Sequence, residues 1–438
     1  MLQSRSLLSN FIRYTSATVS SLMVFSLYSI IDGLIVARGL GEYAMSAVNL
    51  ANPFVSGMFS IAVIFAVGSS TIISIYLAQG KRDEANHLFS QNLALLLAIG
   101  LTITLLVCLF PMPFARFLGA RDVTLPYVRE YLLGIAPFAC CFIISYNLEI
   151  LVKTDGYPRV AIISVTCGCM FNCLLDYLAI MVWHWGVWSA AAATGLSQLL
   201  TCVIYFAHFF GKHTTFHPVR FTMNWRIYRR LIPLGIADGV TELCNGLMIF
   251  LFNRTILRCI GQDGLVSYTI IAYANTLVIN MMMGVSQGTQ PLLSFQYGKQ
   301  DRQNCRTLLR YGLITAISAG ILCTTLFFLF SPQLVRAFLG QSDPLLNAAT
   351  VLAFRRYCPT YLLLGFNVLI GGFLTAVERP RSAITVSVGR GLVLQGSCLL
   401  LLAAIWGGNT IWFASVISES ICLVFSICFL RRAAKQVL

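Results

Sequence analysis

The chain has 438 residues, of which 58% are hydrophobic and only 11% charged, with a mean hydropathy of +0.79. Soluble domains carry about 25% charged residues, so a soluble enzyme or binding module is excluded and a polytopic membrane protein is expected. The net charge of +14 does not point to nucleic acid, because the Lys and Arg residues are dispersed between apolar runs and not gathered on one face.

That dispersal marks topology. With the N-terminus inside, most Lys and Arg residues fall in segments on the inner side, which predicts both termini in the cytoplasm. The opening Met1-Leu2-Gln3-Ser4-Arg5 leads into a full span without a small-residue cleavage site, so no removable signal peptide is expected.

Twelve apolar runs follow, at 11–36, 45–78, 89–110, 127–151, 160–182, 187–210, 231–253, 265–296, 311–330, 351–376, 383–404 and 410–430. Each is long enough to span a bilayer as a helix, and the second and eighth exceed a perpendicular span and should tilt or project past the headgroups. The longest polar stretch, 211–230, holds Lys212, Arg220, Arg226, Arg229 and Arg230. It reads as a basic cytoplasmic linker between an N-terminal bundle of six helices, 1–210, and a C-terminal one, 231–438. The expected fold is all-α.

The two halves repeat. Gly80-Lys81-Arg82-Asp83 recurs as Gly298-Lys299-Gln300-Asp301, an offset of 298 − 80 = 218, and Phe117-Leu118-Gly119 as Phe338-Leu339-Gly340, an offset of 338 − 117 = 221. Pro137 recurs as Pro359, and Pro158-Arg159 as Pro380-Arg381, both 222 later. An even number of spans per half makes the repeats parallel, related by an axis along the membrane normal, with substrate expected between them. Pro53, Pro137, Pro233, Pro291 and Pro359 fall within spans, where each removes a backbone hydrogen bond and permits a kink, static or mobile.

Polar groups inside the spans carry the functional signal. Asn172 and Asp176, four residues apart in an apolar run, project from one helix face, and the first run adds Asp32. A carboxylate at mid-membrane depth costs at least ~2.5–3.5 kcal/mol on insertion scales and is a functional-site candidate by default. The alternative is a structural carboxylate satisfied by Asn, Tyr and Thr neighbours. Two acids close together in a dry pocket favour one shared proton or a bound Na⁺, and Asn172 offers an uncharged oxygen of the kind a hard cation accepts. Asp238 and Glu242, also one turn apart, are candidates for a second acidic or substrate site, or merely cleft-lining acidity.

Other residues invite plainer readings. Glu149 and Lys153 have the spacing of a structural ion pair, Glu378 reads as an interfacial loop acid, and Glu419 stays unassigned beside the mid-span Arg390. Tyr28, Phe54, Tyr146, Tyr273 and Tyr297 are aromatic candidates for holding an organic cation, against lipid-facing or packing roles. The fifteen cysteines read as small packing residues. Cys167-Gly168-Cys169 lacks a second pair at metal-ligand spacing, and His213 and His217 fall in the basic linker, where a solvated loop is expected. No HExxH, His-rich cluster or Walker A sequence is present, so neither an intramembrane enzyme nor ATP drive is expected.

Three stretches resemble a known family. Leu27-Tyr28-Ser29-Ile30-Ile31-Asp32-Gly33 and the residues on to Gly41, Ala47-Val48-Asn49-Leu50-Ala51-Asn52-Pro53, and Lys153-Thr154-Asp155-Gly156-Tyr157-Pro158-Arg159 followed by Asn172 and Asp176 are similar to the first helix and turn, the second-helix opening and the fourth-to-fifth-helix region of the multidrug and toxin extrusion (MATE) transporters, in their bacterial branch. That family lies in the multidrug/oligosaccharidyl-lipid/polysaccharide exporter superfamily. The resemblance implies two six-helix bundles forming a V-shaped cleft. It also implies a secondary active antiporter that exports organic cations or drugs in exchange for Na⁺ or H⁺, with no cofactor beyond that ion.

The implied cation-coupling set is Asp32, Asn172, Asp176 and Thr194, with Na⁺ or a proton as its occupant. The implied partners are a small organic cation and membrane lipid, without nucleic acid or an obligate protein partner, so that a monomer suffices. The rival within the superfamily is a flippase for a lipid-linked oligosaccharide, whose pyrophosphate would ask for a cleft lined by Arg and Lys. One departure from the family is Ala17, where members often carry a proline about fifteen residues before the first-helix acid. Any bend there would need Ser/Thr backbone bonding by Thr15, Ser16 or Thr18.

Overall fold

The computed structural model describes residues 6–120, 124–211, 214–339 and 344–437. The opening Met1–Arg5, Lys212, His213 and Gly340 lie outside them. Every regular element among the described residues is helical, and twelve helices are long and apolar enough to cross a membrane. They are α1 (Leu7–Leu40), α2 (Ala47–Ala78), α3 (Arg82–Leu109), α4 (Thr124–Thr154), α5 (Pro158–Val182), α6 (Val187–Phe209), α7 (Trp225–Cys259), α8 (Gln262–Gly298), α9 (Arg302–Leu339), α10 (Pro344–Ala376), α11 (Pro380–Ile405) and α12 (Thr410–Lys435). The turn expected near Gly41 is absent as a break in the backbone pattern, since α1 and α2 are joined by helical residues.

The chain forms two compact units. The first is Ser20–Gly239, and the second combines Ser6–Val19 with the residues from Val240 onward. Their boundaries therefore cut α1 and α7. Glycines explain why: a Cβ on Gly235 or Gly239 of α7 would collide with Ile64 of α2, the first with its carbonyl oxygen, while Gly284 and Gly288 of α8 leave room for Val19 and Thr15 of α1. Small residues let helix backbones approach closely where lipid removes the hydrophobic drive for association. The two contacts are the same contact repeated, since 235 − 15, 239 − 19 and 284 − 64 all equal 220. Ser60 adds a hydrogen bond from its Oγ to the Gly239 carbonyl at 2.8 Å.

The repeat is visible in backbone detail. Pro137 sits in the 3₁₀ turn Ala136–Phe138 that interrupts α4, and Pro359 precedes the helical stretch Thr360–Ala376 of α10. In each half a threonine from the preceding span donates to the carbonyl just before the proline: Thr104 Oγ1 to Ala136 at 2.7 Å and Thr324 Oγ1 to Cys358 at 3.3 Å. Such hydroxyls satisfy backbone groups that a proline leaves exposed in lipid.

One repeat register differs from its sequence reading. The left-handed residue after α2 is Gly80 (φ 76°), and the one after α8 is Gln300 (φ 59°), with matching turn hydrogen bonds from Lys81 N to Tyr76 O and Asp301 N to Gln296 O. The structural offset is 300 − 80 = 220, not 218. Residue similarity misaligned the stretch because Gln300 occupies the conformation that glycine fills in the first half. Likewise Glu378 (φ 56°) stands 222 residues after Gly156 (φ 99°).

The segment after α6 is anchored and not simply solvated. Phe216 is fully buried, its ring 5.3 Å from Phe89 of α3 and 5.5 Å from Phe209 of α6. The backbone N–H groups of His217, Val219 and Asn224 donate to Asn86 Oδ1 (2.9 Å), Ser90 Oγ (2.8 Å) and Gln91 Oε1 (3.0 Å) of α3. Asp155, buried in the α4–α5 turn, accepts from the backbone N–H and hydroxyl of Thr215 at 2.7 and 2.5 Å and bonds His208 Nε2 at 2.9 Å. The side chain of His217 itself is exposed.

Candidate functional site

Helix α5 buries one narrow stripe, Pro158, Ala161, Ser164, Gly168, Asn172 and Asp176, spaced three and four residues apart as a single helix face requires. The stripe ends in Asn172 and Asp176, both with 0% exposure. Immediately beyond Asp176 the helix widens into a π-helical turn, Tyr177–Val182. Such turns are rare and often accompany functional positions.

Asn172 is fixed by its neighbours. With its amide nitrogen toward Asp176 it donates to Oδ2 at 2.6 Å, and its carbonyl oxygen then accepts from the Thr194 backbone N–H on α6 at 3.0 Å. The opposite amide orientation offers only a 3.4 Å contact to Thr194 Oγ1, so the hydrogen-bond network assigns the first. The other carboxylate oxygen, Asp176 Oδ1, has no partner outside this pair, and Asp32 of α1 lies within hydrogen-bonding reach of Asp176. Two carboxyl groups bond only when one of them carries a proton.

The remaining members of the expected set gather here. Thr194 Oγ1 donates to the Ala190 carbonyl at 3.1 Å and is within hydrogen-bonding reach of the Tyr28 hydroxyl. Tyr28 also interacts electrostatically with both carboxylates, as does Tyr131 of α4, a buried residue that sequence reading missed. Tyr146 joins Tyr28 through an aromatic chain: Tyr28 and Phe25 have centroids 5.7 Å apart, Phe25 and Phe59 5.9 Å, Phe59 and Tyr146 5.6 Å.

Tyr273 of α8 is 44% exposed and stacks on Phe338, as a lipid-facing aromatic does. Asp238 and Glu242 are half-buried on α7, the first in one compact unit and the second in the other. Lys153 Nζ donates to Glu149 Oε1 at 2.7 Å within a buried pair. All fifteen cysteines are free thiols, and among the described residues no three His, Cys, Asp or Glu side chains cluster to hold a metal. Near the missing proline, Thr18 Oγ1 bonds back to the Tyr14 carbonyl at 2.9 Å and Ser26 Oγ to that of Leu22 at 2.8 Å.

A family model described as MatE matches residues 17–178 and 239–395. The chain belongs to the MatE family. The match begins at Ala17 and takes in Asp32, Asn172 and Asp176. Similar curated MatE relatives are the multidrug export protein MepA of Staphylococcus saprophyticus subsp. saprophyticus, 23% identical over 92% of this chain and 89% of that protein, and MepA of Staphylococcus aureus strain MSSA476, 24% identical over the same shares. Among solved structures, one titled an outward-facing conformation of a multidrug resistance MATE family transporter of the MOP superfamily superposes with a TM-score of 0.93 at 20% identity, covering 99% of this chain and 97% of that one. A MOP superfamily transporter from Pyrococcus furiosus, whose title reports reverse polarity of its binding pocket, superposes at 0.90, also at 20% identity and the same coverage. The chain thus shares its fold with both solved structures.

Proposed function

We propose that this MatE protein is a secondary active antiporter of the bacterial cytoplasmic membrane, exporting organic cations in exchange for protons taken up by Asp32 and Asp176. The observation that carries this reading is the carboxyl pair itself, a fully buried Asp176 and a half-buried Asp32 on membrane-spanning helices, within hydrogen-bonding reach of each other. A proton satisfies that geometry directly. Na⁺ suits it less well, because Asn172 turns an N–H toward Asp176 and spends its oxygen on Thr194, leaving the carboxylates and Thr194 Oγ1 as the oxygen donors.

Organic cations as cargo are supported by the multidrug export named for the MepA relatives and by the aromatic chain from Tyr28 to Tyr146. Each proton that the pair takes up cancels one of its two negative charges, and that loss of charge favours a different helix packing in which the cargo is released. Coupling requires proton and cargo to prefer different states. Both termini lie in the cytoplasm by the distribution of Lys and Arg, and a monomer suffices. A flippase for lipid-linked oligosaccharide is disfavoured because Arg390, the mid-span base such a cargo would use, is committed to Glu419.

The test is uptake of a fluorescent lipophilic dication into everted proteoliposomes under an imposed proton gradient, then an imposed Na⁺ gradient, for wild type and Asp176→Asn. Proton-driven uptake lost in the variant is expected. Uptake that ignores the proton gradient, or survives the substitution, overturns the reading.

A further inference from the structure

Helices α3 and α4 pack antiparallel in a regular register. A Cβ on Gly100 would meet Cys140 Cα at 2.5 Å, and Thr104 Oγ1 reaches the Ala136 carbonyl, so each step along α3 is matched by the reverse step along α4. Carried two turns further, that register sets Asn92 of α3 level with Asn147 and Leu148 of α4. Asn92 belongs to the buried stripe Asn92, Leu96 and Gly100, and Asn147 is buried with Ile143 and Leu151.

Both amides are shut away, with exposures of 0% for Asn92 and 1% for Asn147. Neither has a hydrogen-bond partner for its Nδ2 or its Oδ1 among the described residues. One turn to either side the neighbours are aliphatic and buried: Leu88 and Leu96 on α3, Ile143 and Leu151 on α4. Four polar atoms are thus enclosed inside two membrane spans, where lipid supplies no hydrogen bonds.

The fold does not require polarity at this level. In the second half the counterparts, 220 residues on for α3 and 222 for α4, are Gly312 of α9 and Leu369 of α10. They face each other directly, since a Cβ on Gly312 would meet Leu369 Cδ2 at 3.0 Å. The flanking contact repeats as well: Gly320, the counterpart of Gly100, lies against Leu362, the counterpart of Cys140. A leucine filling the space beside a glycine makes a dry contact there. In the first half two facing amides stand in its place.

The chemistry of the pair selects its ligand. Two amides offer both donors and acceptors, and a water molecule can match both at once; buried waters typically make about three hydrogen bonds to polar groups otherwise without partners. None of the six residues at this level carries a charge, so an ion would be left without a counter-charge in an apolar surround.

We infer that Asn92 and Asn147 form a water-binding site between α3 and α4, which gives the first unit a wet interhelical contact where the second has a dry one. The water accepts from an amide Nδ2 and donates to an Oδ1, and so joins two side chains that do not bond each other. The site does not depend on the antiport reading.

The test is hydroxyl-radical footprinting by X-ray radiolysis on purified full-length protein in detergent. Radicals formed from a bound water oxidise the side chains beside it, and mass spectrometry reads the rate residue by residue. Leu96 and Ile143 are expected to be oxidised several-fold faster than Leu308 and Leu369, equally buried residues of the dry contact in the second half. In the double variant Asn92→Gly/Asn147→Leu, which copies that contact, their rates should fall to those of Leu308 and Leu369. If this variant does not fold, Asn92→Ala/Asn147→Ala takes its place, since the apolar cavity it leaves stays dry. Wild-type rates no faster at Leu96 and Ile143 than at Leu308 and Leu369 mean that the amides satisfy each other without water, and overturn the inference. Fast oxidation that survives removal of both amides overturns it too, because the radicals then come from bulk solvent.

Discussion

Asn172 holds Asp176 Oδ2 at 2.6 Å with its amide nitrogen while its carbonyl oxygen takes the Thr194 N–H at 3.0 Å. One side chain thus ties the buried carboxyl of α5 to the backbone of α6. Replacing it by leucine leaves a buried carboxyl short of a donor, at a cost of about 1–3 kcal/mol. Asn172→Leu should lower the melting temperature and abolish gradient-driven dye transport. In an Asp176→Asn background the same change should cost less, since contacting residues are not additive.

The carboxyl pair should behave as one unit. Asp32→Asn and Asp176→Asn are each expected to reduce proton-driven transport to background, and the double variant should be no worse than either alone. Initial rates in proteoliposomes check this; two partial losses that multiply would point to independent sites.

Gly235 faces the Ile64 carbonyl so closely that a methyl group has no room. Gly235→Ala should destabilise the protein by about 1–3 kcal/mol through overpacking. Gly246, on the same helix with open space around its Cβ position, is the control, and Gly246→Ala should melt as wild type or slightly higher. Thermal unfolding of both variants separates the packing effect from helix propensity.

Gln300 takes a left-handed conformation that costs an L-residue about 1–2 kcal/mol. Glycine avoids that cost but loses about 0.5–1 kcal/mol of chain entropy, so Gln300→Gly should stabilise by about 0.5–1 kcal/mol. The counterpart Gly80→Gln should do the reverse. Melting temperatures decide both signs.

Phe216→Ala removes a fully buried ring from between Phe89 and Phe209. A change of this kind costs about 3–5 kcal/mol in a packed core. The loss should appear locally, as faster limited proteolysis between residues 214 and 224, before it appears in global melting.

Much of this architecture was legible in the sequence because lipid imposes a simple rule: a span must be apolar and helical over a fixed length. The twelve runs, and the proline breaks at Pro137 and Pro359, follow from that rule. Asn172 and Asp176 were legible as a pair because helical spacing makes them neighbours, and Asp32 because an acid in a span is costly enough to be a site candidate by default. The amide orientation of Asn172 was not legible, since it depends on the Thr194 backbone of another helix. Tyr131 was missed for a similar reason: nothing in its own stretch, Arg129-Glu130-Tyr131-Leu132, marks the carboxylates of α1 and α5 with which it interacts. Glu419 and Arg390 come from two helices with no shared spacing, so only tertiary packing brings them together. The Gly298 register failed because residue identity was matched where backbone conformation was conserved between halves.

The glycine contacts at Gly235 and Gly284 carry a consequence for how the protein is assembled. Each half lends its opening helical segment to the other's compact unit: Ser6–Val19 counts with the second, and α7 up to Gly239 with the first. A polypeptide cut between α6 and α7 would therefore give two fragments, each lacking a piece that only its sibling carries. Neither should mature alone, and co-expression should restore both, so the duplicated chain is a covalent pair of mutually completing templates and not two self-sufficient modules joined in tandem.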